Sequence, residues 1–286
     1  MLRPVIMINL SQQVEDLMVA RNPRGMQTVQ AALQPGYFWR AAQMIETAMA
    51  SDSATVLIGT GFPVANTFET DGPLGAIALY QTIEKLGGNP ILVCGAPLAD
   101  CIKQDFNTYK IAVAKADNRE QEARHALEQL QPDLVISIER PGLNAEGNYS
   151  NMRGEDISAH CASFDHFLNL ARCPTIGIGD GGNEIGMGNV IDALVSLDIK
   201  PSITCCDELV IADVSNWAAH GLIAMLSNAR GEDMLAGWNN IEVLRYLSAQ
   251  GSVDGVSRKN TLTEDGLGSE LSEQLILNLR ILGGFC

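Results

Sequence analysis

The sequence predicts an α/β fold, in which a mostly parallel sheet is flanked by helices in a Rossmann-like three-layer arrangement. From about residue 55, short apolar or β-branched runs alternate with amphipathic stretches, which is typical of strands joined by covering helices. Hydrophobic residues make up 46% of the chain but aromatic residues only 5%, as expected for an aliphatic core between sheet and helices. Neither a linker nor a repeat interrupts this pattern. We therefore expect one domain over residues 1–286, with a helical N-terminal extension at 1–50 and a core at 51–286.

The predicted strands are the short apolar runs that end at polar or turn residues. Six segments fit this description: Thr55–Gly59, Pro90–Gly95, Tyr109–Ala114, Leu134–Glu139, Pro174–Ile178 and Ser202–Ile211.

Helices are predicted from capping residues and from apolar periodicity. A capping residue precedes an amphipathic stretch at Asp71, Asp117 and Ser215. Helical spacing predicts a further helix that packs on the sheet through Met187, Val190, Ile191, Leu194 and Val195. Residues 1–50 are predicted to be mostly helical with breaks at 22–25 and 34–36, and the last amphipathic helix is predicted from Leu271 to Leu282.

The charge balance limits the partners that we expect. The chain has 19 Lys+Arg against 34 Asp+Glu, a formal net charge of −15. This charge repels phosphate backbones and anionic lipid headgroups, so we expect neither nucleic acid nor a membrane surface as a partner. No stretch approaches about 18 uninterrupted apolar residues and no signal-peptide pattern is present, so we expect a cytoplasmic protein. The expected partner is a small molecule, and a homo-oligomer is compatible with the sequence.

The cysteines show no disulfide or zinc pattern. Their number is seven, and Cys205 and Cys206 are adjacent, which favours free thiols. A group of His and Cys residues later in the chain fits no standard zinc spacing: His160, Cys161, His166 and Cys173.

Polar residues that directly follow strands are the first candidates for a site, because ligands bind beyond the carboxyl ends of strands in such sheets. The first predicted strand is followed by Thr60 and Gly61, and then by Glu69 and Asp71. Asp71 has a structural alternative, since Asp is a favoured N-cap residue. Glu69 has no such explanation.

A second group follows the fourth predicted strand. Glu139 and Arg140 come directly after it, and a loop then carries Asn148, Asn151 and Arg153. Two guanidinium groups, a carboxylate and several amides are suited to bind both the carboxylate and the amine of a small zwitterion. The alternative is an ordinary surface salt bridge between Glu139 and Arg140.

A third group is the glycine-rich segment 177–188. Its glycines satisfy the dinucleotide-binding pattern through Gly177, Gly179 and Gly182, with Asp198 about twenty residues further on. Two acidic residues, Asp180 and Glu184, count against a pyrophosphate site. These carboxylates are better suited to a divalent cation, an ammonium group or a role as general base. A structural tight turn is the alternative.

A fourth group comprises two acidic loops, 206–217 and 254–266. The first carries Asp207, Asp213 and Asn216, and the second carries Asp254, Glu264 and Asp265. Turns use Asp, Asn and Gly in any case, so solvated loops are the favoured interpretation.

Taken together, the segments 60–63, 69–73, 139–142, 151–153 and 179–188 resemble one family, the C-terminal domain of D-glutamate cyclase, formerly a domain of unknown function. Segments 214–217 and 254–257 are similar too, so the resemblance covers nearly the whole chain from about residue 55. The family's two-domain mitochondrial member has a further N-terminal domain, and nothing in this sequence resembles that half.

The resemblance implies a carbon–oxygen lyase that closes D-glutamate to 5-oxo-D-proline with loss of water and without ATP. We expect the loops around Glu69, Arg140 and Asp180 to converge on one pocket. The candidate catalytic residues are Glu69, Asp71, Glu139, Asp180 and Glu184. The candidate substrate-binding residues are Thr60, Gly61, Arg140, Asn148, Asn151, Arg153, Gly181, Gly182, Asn183 and Asn216.

Specific roles follow as hypotheses. Arg140 and Arg153 are expected to pair with substrate carboxylates, and Glu69, Asp71 or Glu184 is expected to take the ammonium proton. The N–H groups of 181–183 are expected to face an oxyanion. Either no cofactor is required, or Asp180 with Glu139 or Asp207 holds Mg²⁺ or Mn²⁺. Two alternatives stay open: a nucleotide-dependent oxidoreductase that uses the glycine-rich loop, and a non-catalytic subunit that acts with a separate cyclase domain.

Overall fold

The structure is a computed structural model that describes residues 2–51, 53–113 and 118–286. The strands are β1 (Thr55–Gly59), β2 (Pro63–Val64), β3 (Thr67–Phe68), β4 (Asn89–Cys94), β5 (Thr108–Lys110), β6 (Leu134–Ile138), β7 (Thr175–Gly179), β8 (Glu208–Ile211), β9 (Thr263–Glu264) and β10 (Leu267–Gly268). The helices are α1 (Leu2–Met18), α2 (Met26–Gln30), α3 (Tyr37–Ala48), α4 (Pro73–Lys85), α5 (Leu98–Ile102), α6 (Arg119–Leu130), α7 (Asp165–Asn169), α8 (Ile191–Leu194), α9 (Ser215–Arg230), α10 (Asn240–Ala249) and α11 (Ser269–Leu282).

The main sheet has six parallel strands in the order β5-β4-β1-β6-β7-β8. Counted along the chain, this is the order 3-2-1-4-5-6 of doubly wound α/β proteins. The chain changes direction of winding between β1 and β6, and the crevice beyond their carboxyl ends is where such sheets bind ligands. The predicted α/β class is confirmed.

Both faces of the sheet are covered, so the strands are apolar on both sides. Leu57 and Val135 point to a core shared with Phe164 of the α6–α7 side. Their neighbours Val56 and Ile136 point to the opposite core, where α3 and α4 pack against α9. This alternation along each strand explains the continuous apolar runs in the sequence.

The N-terminal helices contribute to the larger of these two cores. Val14, Phe38 and Ile45 are buried in the same cluster as β1 and α9. The helical prediction for residues 1–50 is confirmed, with breaks before α2 and α3 at Gly25 and Gly36. None of the helices formed by the described residues is both long enough and apolar enough to cross a bilayer.

Three predicted elements differ from the structure. The last strand begins at Glu208 rather than Ser202, because the Thr204 carbonyl accepts hydrogen bonds from the Gly186 and Gly188 N–H groups of the glycine-rich loop. The helix predicted through Val195 is a 3-10 turn, Met187–Val190, followed by the single turn α8, and Val195 is 80% exposed. The third strand is only Thr108–Lys110; the predicted positions Ala114 and Asp117 lie outside the described residues.

The helices α4 and α9 start side by side, and each is capped by a side chain at the start of the other helix. The Asn216 Oδ1 atom accepts hydrogen bonds of 2.8 Å from the N–H groups of Gly72 and Gly75 at the start of α4. Asp71 accepts from the N–H groups of Ser215 (3.0 Å) and Asn216 (2.7 Å) at the start of α9. Asp71 was predicted to cap its own helix; it accepts a 2.9 Å hydrogen bond from the Gly72 N–H there and also caps the partner helix. Two positive helix ends therefore meet beyond β1 and β6.

We expect Asn216→Ala to lower the free energy of unfolding by about 2–3 kcal/mol, because two N–H groups of α4 and the buried Glu264 carboxylate lose their partner. Asn228→Ala is the matched control on the same helix, where the side chain makes one 3.2 Å bond to the Gly283 carbonyl, and we expect a loss within about 0.5 kcal/mol. Urea unfolding measures both variants. Equal losses would contradict the reciprocal capping.

Candidate active site

A cavity of about 370 Å³ opens at the crevice between β1, β6 and β7. Its inner part, here called the floor, is formed by Glu69, Glu139, Asp180, Asp265 and Arg24. Glu69, Glu139 and Asp180 are buried, at 7%, 5% and 3% exposure. The outer part, here called the rim, is formed by Met152, Arg153, Glu155, Val256 and Arg258. Glu69 and Asp180 therefore line one pocket, as predicted.

Three carboxyl groups meet at the N-terminus of α9. Oxygen atoms of Asp71, Glu139 and Asp180 lie within 4.8 Å of one another. The Ser215 N–H donates to Asp71 (3.0 Å) and to Asp180 (3.2 Å), and the Ser215 hydroxyl donates to Glu139 at 2.5 Å. The first turn of one helix therefore organises all three carboxyl groups, as expected where a helix N-terminus stabilises negative charge.

The cation of the floor is Arg24, which sequence reasoning missed. Its Nη2 atom lies 2.6 Å from Asp180 Oδ2 and 2.5 Å from Asp265 Oδ2. The turn that carries Arg24 is fixed by Asp213, which accepts from the N–H groups of Arg21 (2.7 Å) and Asn22 (3.1 Å). The N-terminal extension is therefore part of the site.

Burial raises the pKa of the floor carboxyl groups. Burial is the largest cause for Glu69 and Glu139, whose pKa values lie well above the usual range, and neighbouring carboxylates add to it. The pKa of Asp180 is also raised well above its usual range by burial, although the Arg24 charge opposes this. Burial and the charge of Asp265 raise the pKa of Asp71 to about 7, against a hydrogen bond with Asp180. Carboxyl groups of this cluster therefore retain protons near neutral pH, and a cationic ligand competes with those protons for the same site.

Backbone strain concentrates around the same cavity. Among the described residues, seven that are not glycine have a positive φ. Four of the seven line the cavity: Ala65 (φ 55°), Glu139 (φ 47°), Arg258 (φ 57°) and Asp265 (φ 49°). A left-handed conformation costs on the order of 1 kcal/mol or more for such residues, and strain of this kind is characteristic of functional sites.

Two predicted catalytic residues lie behind the cavity wall. Asp71 is engaged by helix α9, as described above. The Glu184 carboxylate accepts from the Gly182 N–H at 2.7 Å, with further backbone contacts from Gly181 and its own N–H. Two of the three N–H groups that were expected to face an oxyanion, those of Gly181 and Gly182, therefore bind the chain's own carboxylate. This arrangement gives no support to the oxidoreductase hypothesis.

Arg140 does not join the floor, in contrast to the sequence prediction. Its guanidinium donates to the carbonyls of Thr60 (3.1 Å) and Gly61 (2.7 Å) and to the Ala162 carbonyl. The predicted residues Thr60, Gly61 and Arg140 line an adjacent cavity of about 160 Å³, which shares Phe62, Pro63, Ala65 and His160 with the larger one. Arg140 makes no ion pair with a carboxylate in the described part of the chain, so it ties the loop after β1 to its neighbours.

The remaining predicted contacts divide into two groups. Asn151, Arg153 and Asn183 line the cavity. Asn148 does not, since its backbone N–H is bonded to the Asn144 side chain at 3.1 Å within its own loop. Asn216 is buried behind the wall as the cap of α4.

Asp207 is at the wrong end of the sheet to share an ion with Asp180. Its carboxylate accepts from the Thr175 N–H at 2.8 Å, at the start of β7, whereas Asp180 directly follows the end of that strand. The two carboxylates are thus separated by the length of the strand, roughly 16 Å. In the cluster with Glu139 and Asp180, Asp71 occupies the position that was predicted for Asp207.

A family model described as D-glutamate cyclase-like, C-terminal, matches residues 14–280 of the chain. The chain belongs to this family. It is 32% identical over 203 residues to human D-glutamate cyclase, mitochondrial; the match covers 62% of this chain and 33% of the human protein. The chain therefore spans about a third of the length of that relative.

One solved structure shows a weak overall likeness to the D-glutamate cyclase-like chain. It is an exopolyphosphatase-related protein from Bacteroides fragilis, with a TM-score of 0.41 and 9% identity over 88% of this chain and 57% of that chain. A likeness of this size carries no functional conclusion.

The raised pKa values predict that stability falls as pH rises. The pKa of Glu69 is raised in the folded protein above the ordinary glutamate value of 4.5. Its contribution to stability is therefore complete at acid pH and is lost as pH rises through the folded pKa. We expect the free energy of unfolding in urea to decrease from pH 5 to pH 8. Glu69→Gln should make the decrease of the unfolding free energy with pH less steep, by up to about 1.4 kcal/mol per pH unit.

The exposed Glu273 of α11 provides the control for this measurement. Glu273→Gln should leave the slope unchanged. Equal slopes for the wild type and Glu69→Gln would show that burial does not hold a proton on Glu69.

Proposed function

We propose that the chain catalyses the ATP-independent dehydration of D-glutamate to 5-oxo-D-proline. The observation that carries the proposal is the floor, in which buried carboxyl groups with raised pKa values surround one guanidinium. Membership of the D-glutamate cyclase-like family and the name of the human relative support the same reaction.

The reaction requires proton transfer but no external reagent. A bond forms between the substrate amine nitrogen and C5, and the bond between C5 and one oxygen of the γ-carboxylate breaks. The ammonium group loses two protons, and both leave with that oxygen as water. A site that holds protons near neutral pH and passes them from nitrogen to oxygen is therefore what this chemistry needs.

The two glutamates of the floor are suited to opposite steps. Glu139 accepts a hydrogen bond from the Ser215 hydroxyl and lies beside Asp71 and Asp180. An arriving ammonium group lowers the pKa of Glu139 and displaces its proton, and the resulting carboxylate is placed to take a proton from the ammonium group. Glu69 has no side-chain hydrogen-bond partner among the described residues, and burial is the largest cause of its raised pKa. We assign Glu69 as the acid that protonates the leaving oxygen.

The remaining charges orient the substrate. Arg24 is the floor cation closest to the carboxyl groups and is assigned to the oxyanion that forms at C5. Arg153 lines the cavity on an exposed loop next to Asn151 and is assigned to the α-carboxylate. These assignments place the ammonium group inward and the α-carboxylate outward.

A divalent cation is the alternative occupant of the carboxyl cluster. Asp71, Glu139 and Asp180 would hold Mg²⁺ or Mn²⁺, which prefer carboxylate oxygens. Such an ion would supply Lewis-acid activation of the γ-carboxylate. The proposal without a metal and the proposal with one differ in their response to chelation.

The test is incubation of the purified full chain with D-glutamate and, separately, L-glutamate, with and without EDTA or added Mn²⁺, followed by chromatography for 5-oxoproline. We expect product from the D isomer. Glu69→Gln should lower turnover about 100-fold or more, because a general acid contributes roughly 10²–10⁴-fold. Glu273→Gln, an exposed glutamate on α11, is the matched control and should retain turnover.

The outcomes separate the hypotheses. Turnover that survives EDTA supports the metal-free reaction, and turnover restored by Mn²⁺ supports the cation. Activity that appears only after a separate cyclase domain is added would favour the non-catalytic subunit. No product under any of these conditions would refute the proposal.

A further inference from the structure

The rim presents apolar and cationic surface that is unburied in the chain itself. Met152 and Val256 are large hydrophobic residues with 37% and 55% exposure, and both line the cavity. Arg258 lies on the same loop as Val256, with 44% of its side chain exposed. An apolar surface next to a guanidinium matches a ligand group with an aliphatic part and a carboxylate.

Free D-glutamate does not extend to this surface. Ring closure requires the amine nitrogen and C5 to approach to about 3–3.5 Å, so both reacting groups lie together at the floor. The α-carboxylate is attached to the carbon that bears the amine and is assigned to Arg153. The cavity of about 370 Å³ falls within the range of roughly 300–1,000 Å³ that proteins use for larger, drug-sized ligands. Space and binding groups therefore remain at Met152, Val256 and Arg258.

We propose that the chain also closes γ-D-glutamyl amides of amino acids, and that Met152, Val256 and Arg258 bind the departing amino acid. This inference rests on the proposed function, since it uses the same floor for the glutamyl part. The apolar side chain of the departing residue packs against Met152 and Val256, and its carboxylate pairs with Arg258.

Arg258 is already held in position for such a carboxylate. Its guanidinium lies 3.4 Å from the Glu155 carboxylate, which in turn accepts a 2.6 Å hydrogen bond from the Asn151 amide. Both members of the Arg258–Glu155 pair are about half exposed, at 44% and 56%. Exposed ion pairs of this kind contribute little to stability, so a substrate carboxylate can replace Glu155 at small cost.

The chemistry balances without a further reagent. A bond forms between the glutamyl amine nitrogen and C5, and the amide bond between C5 and the departing nitrogen breaks. The glutamyl ammonium loses two protons, and both go to the departing nitrogen, which leaves as the ammonium group of a free amino acid. The contacts with the departing residue lie far from C5. Binding energy from such remote contacts lowers the barrier to reaction at C5.

The test compares three substrates with the purified full chain: D-glutamate, D-glutamine and γ-D-glutamyl-L-leucine. Liquid chromatography with mass detection measures 5-oxoproline and the released amine. We expect kcat/KM for the dipeptide to exceed that for D-glutamine at least about tenfold, because only the dipeptide reaches the rim. Arg258→Gln should lower kcat/KM for the dipeptide about tenfold and change that for D-glutamate less than about twofold.

Arg124→Gln is the matched control, because Arg124 also forms an exposed ion pair, with Glu120 on α6 (2.6 Å). It should change neither substrate. Closure of the dipeptide without closure of D-glutamate would support the inference and correct the substrate of the proposed function. Closure of D-glutamate with an inert dipeptide would overturn the inference alone, as would a dipeptide reaction that Arg258→Gln leaves intact. Three inert substrates would refute the proposed function and this inference together.

Discussion

The site depends on one arrangement, in which the N-termini of α4 and α9 meet beyond β1 and β6. A residue at the start of each helix caps the other helix. Asn216 accepts from two N–H groups of α4, and Asp71 accepts from two N–H groups of α9. The positive ends of helices attract carboxylates. Here the Ser215 N–H donates to Asp71 and Asp180, and the Ser215 hydroxyl donates to Glu139. Without this pair of caps, three carboxyl groups would not be held within hydrogen-bonding distance of one helix turn.

Burial then determines the chemistry of these groups. A carboxylate removed from water is destabilised, and its neighbours here are mainly other carboxyl groups, so protons are retained on them. Arg24 offsets part of the negative charge through Asp180 and Asp265. The remaining excess of carboxyl groups favours an ammonium group or a metal ion as the ligand. Glu139 also has a positive φ, a strained backbone conformation that is characteristic of functional sites.

Much of the fold and three of the five floor residues could be predicted from the sequence, because parallel strands place their carboxyl ends at one edge of the sheet. That rule located Glu139 and Asp180 directly, and Glu69 through the loop that follows β1. It gave no information on Arg24, since this residue precedes the first strand and is brought in by Asp213. Asp265 was assigned to a solvated loop because Asp is common in turns, yet its carboxylate binds Arg24. Arg140 was misassigned because the sequence cannot show which carbonyl groups a guanidinium meets.

The central claim is that protons retained by buried carboxyl groups are exchanged with the substrate ammonium group. Because conversion of D-glutamate to 5-oxoproline and water neither consumes nor releases a net proton, any proton released in proportion to the protein comes from binding. A pH indicator in weakly buffered solution near pH 7, with D-glutamate mixed into the purified chain, measures this release. We expect a rapid release proportional to the protein concentration, since the arriving cation lowers the pKa of the floor carboxyl groups. Binding of D-glutamate with no proton release would contradict the claim.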